Sequence, residues 1–341
     1  MKKRRLMSVL LASALTITSV LPSMAVSAAG DSVEDALVAS YDFDDQTLNN
    51  SKSEGDVAQA IVTGLNNYTG TVTYGEGRNG GKAVKLGDYG LKLNKQNLGD
   101  NFTVSLWLKA EGRIANNQSV MFLGYHNPEK WYAIAGRDSN NGVKMWANGG
   151  IYGWTEFGTL PLANDWHSVV ITGDSENITT YFDGVAVTSD ETNHPLAGTN
   201  QDIYLGVTYW DPEFTGYVDD VKVYNTTLTE EQVQAEDKEY YESVLQEKVD
   251  AVSADSLLGL NDSADAVEFD LVLPETMANG AVTWTSSNEA VIATDGTVKN
   301  PDEDAQVTLT ATVKAGSLTA TREFTFTVKA IDRTDIDALI A

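Results

Sequence analysis

Aromatic rings set among amides and carboxylates are the most concentrated chemistry in this sequence. Between positions 125 and 154 lie Tyr125, Trp131, Tyr132, Trp146, Tyr152 and Trp154, interleaved with Asn127, Arg137, Asp138, Asn140, Asn141 and Asn148. A sugar presents apolar C–H faces and a ring of hydroxyls. Indoles and phenols cover the first, and Asn, Asp and Arg satisfy the second. Tyr209-Trp210-Asp211 repeats the combination on a late loop. The candidate ligand contacts are therefore Trp131, Trp146, Tyr152, Trp154, Trp210, Arg137 and Asn148. A β-sandwich core uses the same rings, so about half of them are expected inside. Trp166 and Trp284 read as structural, whereas Trp107 points away from the Phe102/Val104/Leu106 face and is either covered by a loop or exposed for binding.

A second pattern is carboxylate chemistry. Asp219 shares strand parity with the apolar Val221 and Val223, and no Lys or Arg adjoins it at that parity. A carboxylate facing a core is costly unless paired or bound to a metal. Asp44 and Asp45 close the first strand. Hard oxygens of this kind suit Ca²⁺. The alternative is that Asp219 accepts backbone N–H bonds while Asp44 and Asp45 form a turn.

Catalytic patterns are missing. Sugar hydrolysis needs a carboxylate pair across the scissile bond. Glu268-Phe269-Asp270-Leu271-Val272-Leu273 begins like the E-x-D-x-x-E of some glucanases but ends on Leu273. His126, His167 and His194 are scattered, and no G-x-S-x-G, H-E-x-x-H or phosphate-binding loop occurs. The chain of 341 residues has no Cys, which excludes disulfides, zinc-thiolate sites and thiol catalysis. Its net charge of −26 opposes non-specific nucleic-acid binding. With 42% hydrophobic and 21% charged residues it is expected to fold rather than stay disordered.

The elements that must position these groups are short strands. Residues 1–29 come first, with Lys2, Lys3, Arg4 and Arg5 before an apolar run and a small-residue end at Val26-Ser27-Ala28-Ala29. This reads as a secretory signal peptide, with a membrane anchor as the alternative. No second run long enough to span a membrane follows, and an extracellular protein is expected. From 34 to 228, period-2 stretches alternate with Gly, Asn and Asp turns: Leu37/Ala39/Tyr41/Phe43, Phe102/Val104/Leu106/Leu108, Ile203/Leu205/Val207. Asp183-Gly184 marks a hairpin. Residues 229–250 open with a capping box, Thr229-Glu230-Glu231-Gln232, and hold eight acidic and two basic residues. They are expected to form a short solvated helix. From 251 to 330, Val307/Leu309/Ala311/Val313 and Phe324/Phe326/Val328 alternate with Thr, as in a small antiparallel sandwich. Residues 331–341 read as a connector. The expected fold is all-β: a jelly-roll sandwich and a smaller one, joined by a short helix.

Several pieces carry a family resemblance. Tyr41-Asp42-Phe43-Asp44-Asp45, Phe102 to Lys109, Trp166-His167-Ser168-Val169-Val170, Tyr181-Phe182-Asp183-Gly184 and Gly216 to Asn225 occur in the order of a laminin-G-like (concanavalin A-like) jelly roll. Val282-Thr283-Trp284-Thr285-Ser286-Ser287-Asn288, Asp295-Gly296-Thr297-Val298 and Val307 to Val313 resemble the atrophied bacterial Ig domain. The pair is similar to accessory regions of secreted bacterial enzymes of glycoside hydrolase family 43, which degrade arabinan and xylan. The resemblance implies a bacterial extracellular protein that binds plant-wall polysaccharide without catalysing its cleavage. It implies a glycoside hydrolase catalytic domain as partner, because no five-bladed propeller is present. It also implies a calcium where Asp44 and Asp219 fall, with Asp45 as a weaker ligand. The alternatives are an accessory N-terminal fragment of a longer glycoside hydrolase, an adhesin or structural module that binds protein, and a jelly-roll enzyme with an unrecognised carboxylate pair.

Overall fold

The computed structural model describes residues 33–94, 98–112, 117–125, 130–136, 143–148, 154–156, 165–187 and 202–330, of which 125, 130, 143–148 and 154–156 are described by their strand pairing. The expected signal peptide at 1–29, the expected connector at 331–341, Arg137 and Tyr152 lie outside the described residues.

Two eight-stranded sheets form the larger module. Strand Phe102–Ala110 lies centrally in the first, between His167–Gly173 and Gly216–Tyr224. One edge of Gly216–Tyr224 is shared along its length. Residues 216–218 pair with Lys82–Leu86, and residues 221–224 pair with Leu37–Tyr41. Asp219 and Asp220 sit at the fork between them, in a bulge where Asp220 takes φ 46°. Bulges re-aim side chains, and this one turns two carboxylates out of the ladder. The second sheet runs Trp154–Glu156, Val143–Asn148, Lys130–Gly136, Ser119–Tyr125, Ile203–Leu205, Gly90–Leu93, Gln59–Val62, Asn66–Asn67.

The alternation read in the sequence decides what lies between the sheets. Ala39, Tyr41, Val104, Leu106, Val221 and Val223 from the first meet Met121, Leu123, Tyr132, Ile134, Ile203 and Leu205 from the second. Full burial of each such aliphatic side chain stabilises by about 1.5–3 kcal/mol. The Asp183-Gly184 hairpin forms as expected, with φ 48° and 76°. Gly184 meets the demand for a left-handed second turn residue, and an added Cβ there would lie 2.6 Å from the Tyr241 ring.

The helical segment differs in character from the expectation. It is a pair, α1 (Glu230–Ala235) and α2 (Lys238–Asp250), broken at Asp237, whose φ −153° and ψ 66° lie outside the helical region. The capping box is formed on both sides: Gln232 N–H donates to Thr229 Oγ1 at 3.3 Å and Thr229 N–H to Gln232 Oε1 at 2.9 Å. The segment is not merely solvated. In α2, Tyr241, Leu245 and Val249, at i, i+4, i+8 spacing, are fully buried, while Glu239, Glu247 and Asp250 are exposed. Trp107, 1% exposed, is covered by this helix rather than by a loop. Its indole stacks on Tyr241 at 5.9 Å and 6°, meets the edge of Tyr240 at 5.1 Å, and carries the Arg78 guanidinium 3.6 Å from its ring centre.

The smaller module is one antiparallel ladder, Thr276–Met277, Gly280–Ser286, Ala305–Ala315 and Leu318–Val328. Its buried face is the one the Thr alternation marks, Val307, Leu309, Ala311 and Val313 against Phe324, Phe326 and Val328. The facing layer is irregular chain pinned by isolated bridges such as Val267↔Val328, with α2 along one side. Trp284 closes this core: it packs on Phe324 and donates Nε1–H to the Pro274 carbonyl at 3.0 Å. The core is continuous with Trp107 and Val185 of the larger module through Tyr241, Leu245 and Val249. Gln234, fully buried in α1, seals the joint. Its Nε2 donates to the carbonyls of Gly184 and Ala315, and its Oε1 accepts from Ser317 N–H and Oγ–H.

Candidate functional site: an aromatic groove on the outer face of the second sheet

The outer face of the second sheet is not the polar surface that alternation usually leaves. In strand Ser119–Tyr125, Val120, Met121 and Leu123 face the core, while Phe122 faces outward. Trp131, Ala133 and Ala135 share the outer parity of Lys130–Gly136. Phe122 stacks on Trp131 at 5.5 Å and 26°, and Tyr204 meets Phe122 at 5.7 Å. The loop 206–214 folds over this face. It is closed by Phe214 N–H to the Gly206 carbonyl at 2.8 Å and by the buried Phe214 ring. Thr208 Oγ1 accepts from Asp211 N–H at 2.8 Å, and Thr63 Oγ–H donates to the Asp211 carbonyl at 2.8 Å. Glu213 Oε1 accepts Thr63 N–H at 2.8 Å. Burial is the largest influence and works to raise this carboxyl, but the hydrogen bonds from Thr63 N–H, from its own backbone N–H and from the Thr63 hydroxyl together outweigh it and hold it below the usual range.

So anchored, the loop presents Trp210 at 5.6 Å from Trp131 and braces it against Tyr209 at 5.7 Å. Trp131 is 8% exposed and Trp210 45%. The rings wall a groove of about 270 Å³ whose floor is Ala133 and Ala135 and whose polar rim is Asn117 and Asp211. Two alanines at the outward positions leave a trough beside the indoles that larger side chains would fill. The arrangement can do one thing well: stack an apolar ring face while offering an amide and a carboxylate to hydroxyls at its edge.

Trp131 and Trp210 are therefore brought together, and Asp211 with them. Trp146 and Trp154 lie on the next two strands in one register row: Tyr204↔Phe122, Phe122↔Ala133, Ala133↔Trp146, Trp146↔Trp154. Asn148 pairs with Trp131. Phe122, Asn117 and the alanine floor were missed by sequence reasoning. The available signal was the strand Ser-Val-Met-Phe-Leu-Gly-Tyr, apolar on both parities, which marks a sheet covered on both faces.

The acidic fork of the first sheet lies apart from this groove. Asp219, 3% exposed, accepts Arg78 N–H on Oδ2 at 2.8 Å and Asp220 N–H on Oδ1 at 2.9 Å. Asp44 Oδ1 accepts Lys82 N–H at 2.7 Å. The loop 77–81 closes on both carboxylates. A Cβ at Gly77 would lie 2.7 Å from Asp219 Oδ2, and one at Gly81 2.1 Å from Asp44 Oδ1. Burial, together with the charges of Asp220 and Asp44, pushes the Asp219 carboxyl up to about 7 against its backbone hydrogen bonds. Asp45 is engaged by Thr47 N–H and Oγ–H at 2.9 and 2.7 Å. Among the described residues no three His, Asp or Glu side chains gather closely enough to hold a metal by side chains alone. A cation here would take Asp44 and Asp219 with carbonyl oxygens of the glycine loop, a hard-oxygen set that fits Ca²⁺. No helix among the described residues is long and apolar enough to cross a membrane.

The comparisons agree with this architecture. Residues 80–234 match the model of the concanavalin A-like lectin/glucanases superfamily, and residues 249–331 match that of the atrophied bacterial Ig domain. The chain thus carries a lectin/glucanase-type jelly roll followed by an Ig-like module. Among solved structures it is similar to domain 4 of AbnA, a GH43 extracellular arabinanase from Geobacillus stearothermophilus, in complex with arabinotriose. That likeness has 27% identity and a TM-score of 0.50, and covers 58% of this chain and 97% of that one. The binding domain of Botulinum neurotoxin DC, in complex with rat synaptotagmin II, is 12% identical with a TM-score of 0.44 over 88% of this chain and 79% of that one. The binding domain of Paraclostridial Mosquitocidal Protein 1 is 15% identical with a TM-score of 0.44 over 84% and 66%. Both are too remote to bear on function. Comparison with curated proteins gives no match.

Proposed function

We propose that this chain is a secreted bacterial carbohydrate-binding protein without catalytic activity, and that its jelly roll takes arabinan- or arabinoxylan-type glycan in the groove of Trp131 and Trp210. The observation that carries the reading is the braced indole pair over an alanine trough, with Asn117 and Asp211 at its rim. The arabinotriose bound to the similar arabinanase domain supports the choice of sugar. The basic and apolar opening of the sequence supports secretion. The partner on this reading is a glycoside hydrolase catalytic domain, which gains by proximity to an insoluble polymer. An open site with a few stacking contacts gives Kd of about micromolar to millimolar. Titration calorimetry with arabinotriose, debranched arabinan, xylotriose and cellotriose tests it. Arabinotriose is expected to bind in that range, and no heat with any of the four removes the glycan reading.

We also propose that Ca²⁺ binds at the fork of Asp44 and Asp219. The ion would join the first strand and the last strand of the sheet and offset the repulsion that Asp44 and Asp220 exert on the buried Asp219. Saturating Ca²⁺ at about 100 times Kd adds about 2.7 kcal/mol. The melting temperature is then expected to rise by about 5–10 °C over that in chelator, at roughly 2–4 °C per kcal/mol for a protein of this size. In Asp219→Asn the difference should vanish. Identical melts of the unsubstituted protein with and without Ca²⁺ end this part of the proposal.

A further inference from the structure

A further space lies along the seam of the two modules, on the opposite sheet from the groove above. Two adjoining cavities of about 720 and 460 Å³ share Trp166, Tyr240 and Ser243 as lining. They follow α2, whose thirteen residues extend about 20 Å, so the space is a cleft rather than a pit. Each cavity alone falls within the range of about 300–1,000 Å³ typical of ligand sites.

The walls are aromatic and fixed. Tyr240 O–H donates to the Trp166 carbonyl, tying the helix to the sheet at mid-cleft. The floor is the buried pair His167 and Asp183, joined Nδ1 to Oδ2 at 2.9 Å. Along the rim stand the exposed carboxylates Asp165 and Glu247, with the Lys248 ammonium beside them. Both rings already hold a cation of the protein itself. The Lys109 ammonium lies 5.0 Å from the Trp166 ring centre, and the Arg78 guanidinium 5.9 Å from that of Tyr240. A cationic ligand would be repelled by these groups and an anionic one by the rim carboxylates. A neutral polyhydroxylated ring is opposed by neither. It can lay its C–H face on the indole and exchange hydroxyl hydrogen bonds with donors and acceptors of both kinds.

We infer that this seam is a second carbohydrate-binding site, taking a short linear stretch of neutral glycan along α2. The site needs both modules, because Trp166 and His167 come from the jelly roll and Tyr240 and Glu247 from the helix docked on the Ig-like core. It stands on its own residues and does not require the sheet groove to bind sugar.

Ser243 lines both cavities and is exposed, and its hydroxyl bonds only to the Tyr240 carbonyl within the helix. Ser243→Arg therefore fills the cleft without removing a core contact. Should that variant melt early, Glu247→Trp at the exposed wall serves instead. The test is calorimetry of the full chain with arabinotriose, xylotriose and cellotriose, each with bovine albumin as a blank protein. Two binding events per chain are expected for at least one trisaccharide. Ser243→Arg should weaken one of them at least tenfold, and Trp210→Ala the other. Loss of all binding in Ser243→Arg with none lost in Trp210→Ala upholds the seam and overturns the sheet groove. One event per chain that Ser243→Arg leaves untouched overturns the seam and upholds the groove. Capture of a Lys- or Arg-rich peptide in place of sugar, blocked by Ser243→Arg, also overturns it, as does the absence of binding by any trisaccharide.

Discussion

Replacing Trp107 by alanine is expected to destabilise the entire described chain, not the jelly roll alone, by about 3–5 kcal/mol. The indole is enclosed on one side by its own sheet and on the other by α2 and Arg78. Its removal leaves Tyr240 and Tyr241 without their ring partner and opens a hole in the core that both modules share. The guanidinium of Arg78, which also pairs with Asp237 at the start of α2, loses the face on which it rests. Each of these losses acts on the helix, and the helix is one wall of the Ig-like core. Urea unfolding followed by tryptophan fluorescence and by far-ultraviolet circular dichroism should therefore give one coincident transition before and after the substitution, with the midpoint shifted down. Two separated transitions, or a loss below about 1 kcal/mol, would show that the modules fold independently.

The second large effect concerns binding. Trp210→Ala, read in a Ser243→Arg background so that only the sheet groove is observed, is expected to weaken arabinotriose at least tenfold, which is about 1.4 kcal/mol. Stability should change by under about 1 kcal/mol, because the ring is nearly half exposed and its loop is held by Thr63, Thr208 and Phe214 rather than by the indole. Trp131→Ala is the contrasting variant. It removes a ring that is almost wholly buried and stacked on Phe122, so affinity and stability should fall together. Unchanged affinity in Trp210→Ala would take the glycan off this face of the sheet.

Sequence reasoning reached the jelly roll because its strands put apolar residues on one parity facing the other sheet, as in Phe102, Val104, Leu106 and Leu108. It reached the Thr-out ladder of the smaller module for the same reason. It singled out Trp131, Trp210 and Asp211 by residue type, Asp219 by the cost of a carboxylate at core parity, and Asp44 by its place at the end of the first strand. It missed what depends on a third layer. Phe122 faces away from the core, yet its neighbours in the chain are all apolar, so alternation cannot tell which side it serves. Trp107 reads correctly as facing away from the core, but Tyr240 and Tyr241, which cover it together with Arg78, lie more than 130 positions away. The eight acids of 229–250 suggested a helix in water. Two of them, Glu236 and Asp237, turn in to pair with Lys222 and Arg78, and the i, i+4 stripe of Tyr241, Leu245 and Val249 is diluted in the sequence by Tyr240 and Val244 beside it.

The bonds that Gln234 makes to Gly184, Ala315 and Ser317 bear on how such a protein can be taken apart. Severing the polypeptide between the jelly roll and α1 would strand a wet Trp107 on one fragment and an uncovered apolar helix stripe on the other. Anyone grafting the jelly roll onto a different host would therefore do better to move the tract from 33 to 330 intact, with its second half serving as a built-in lid.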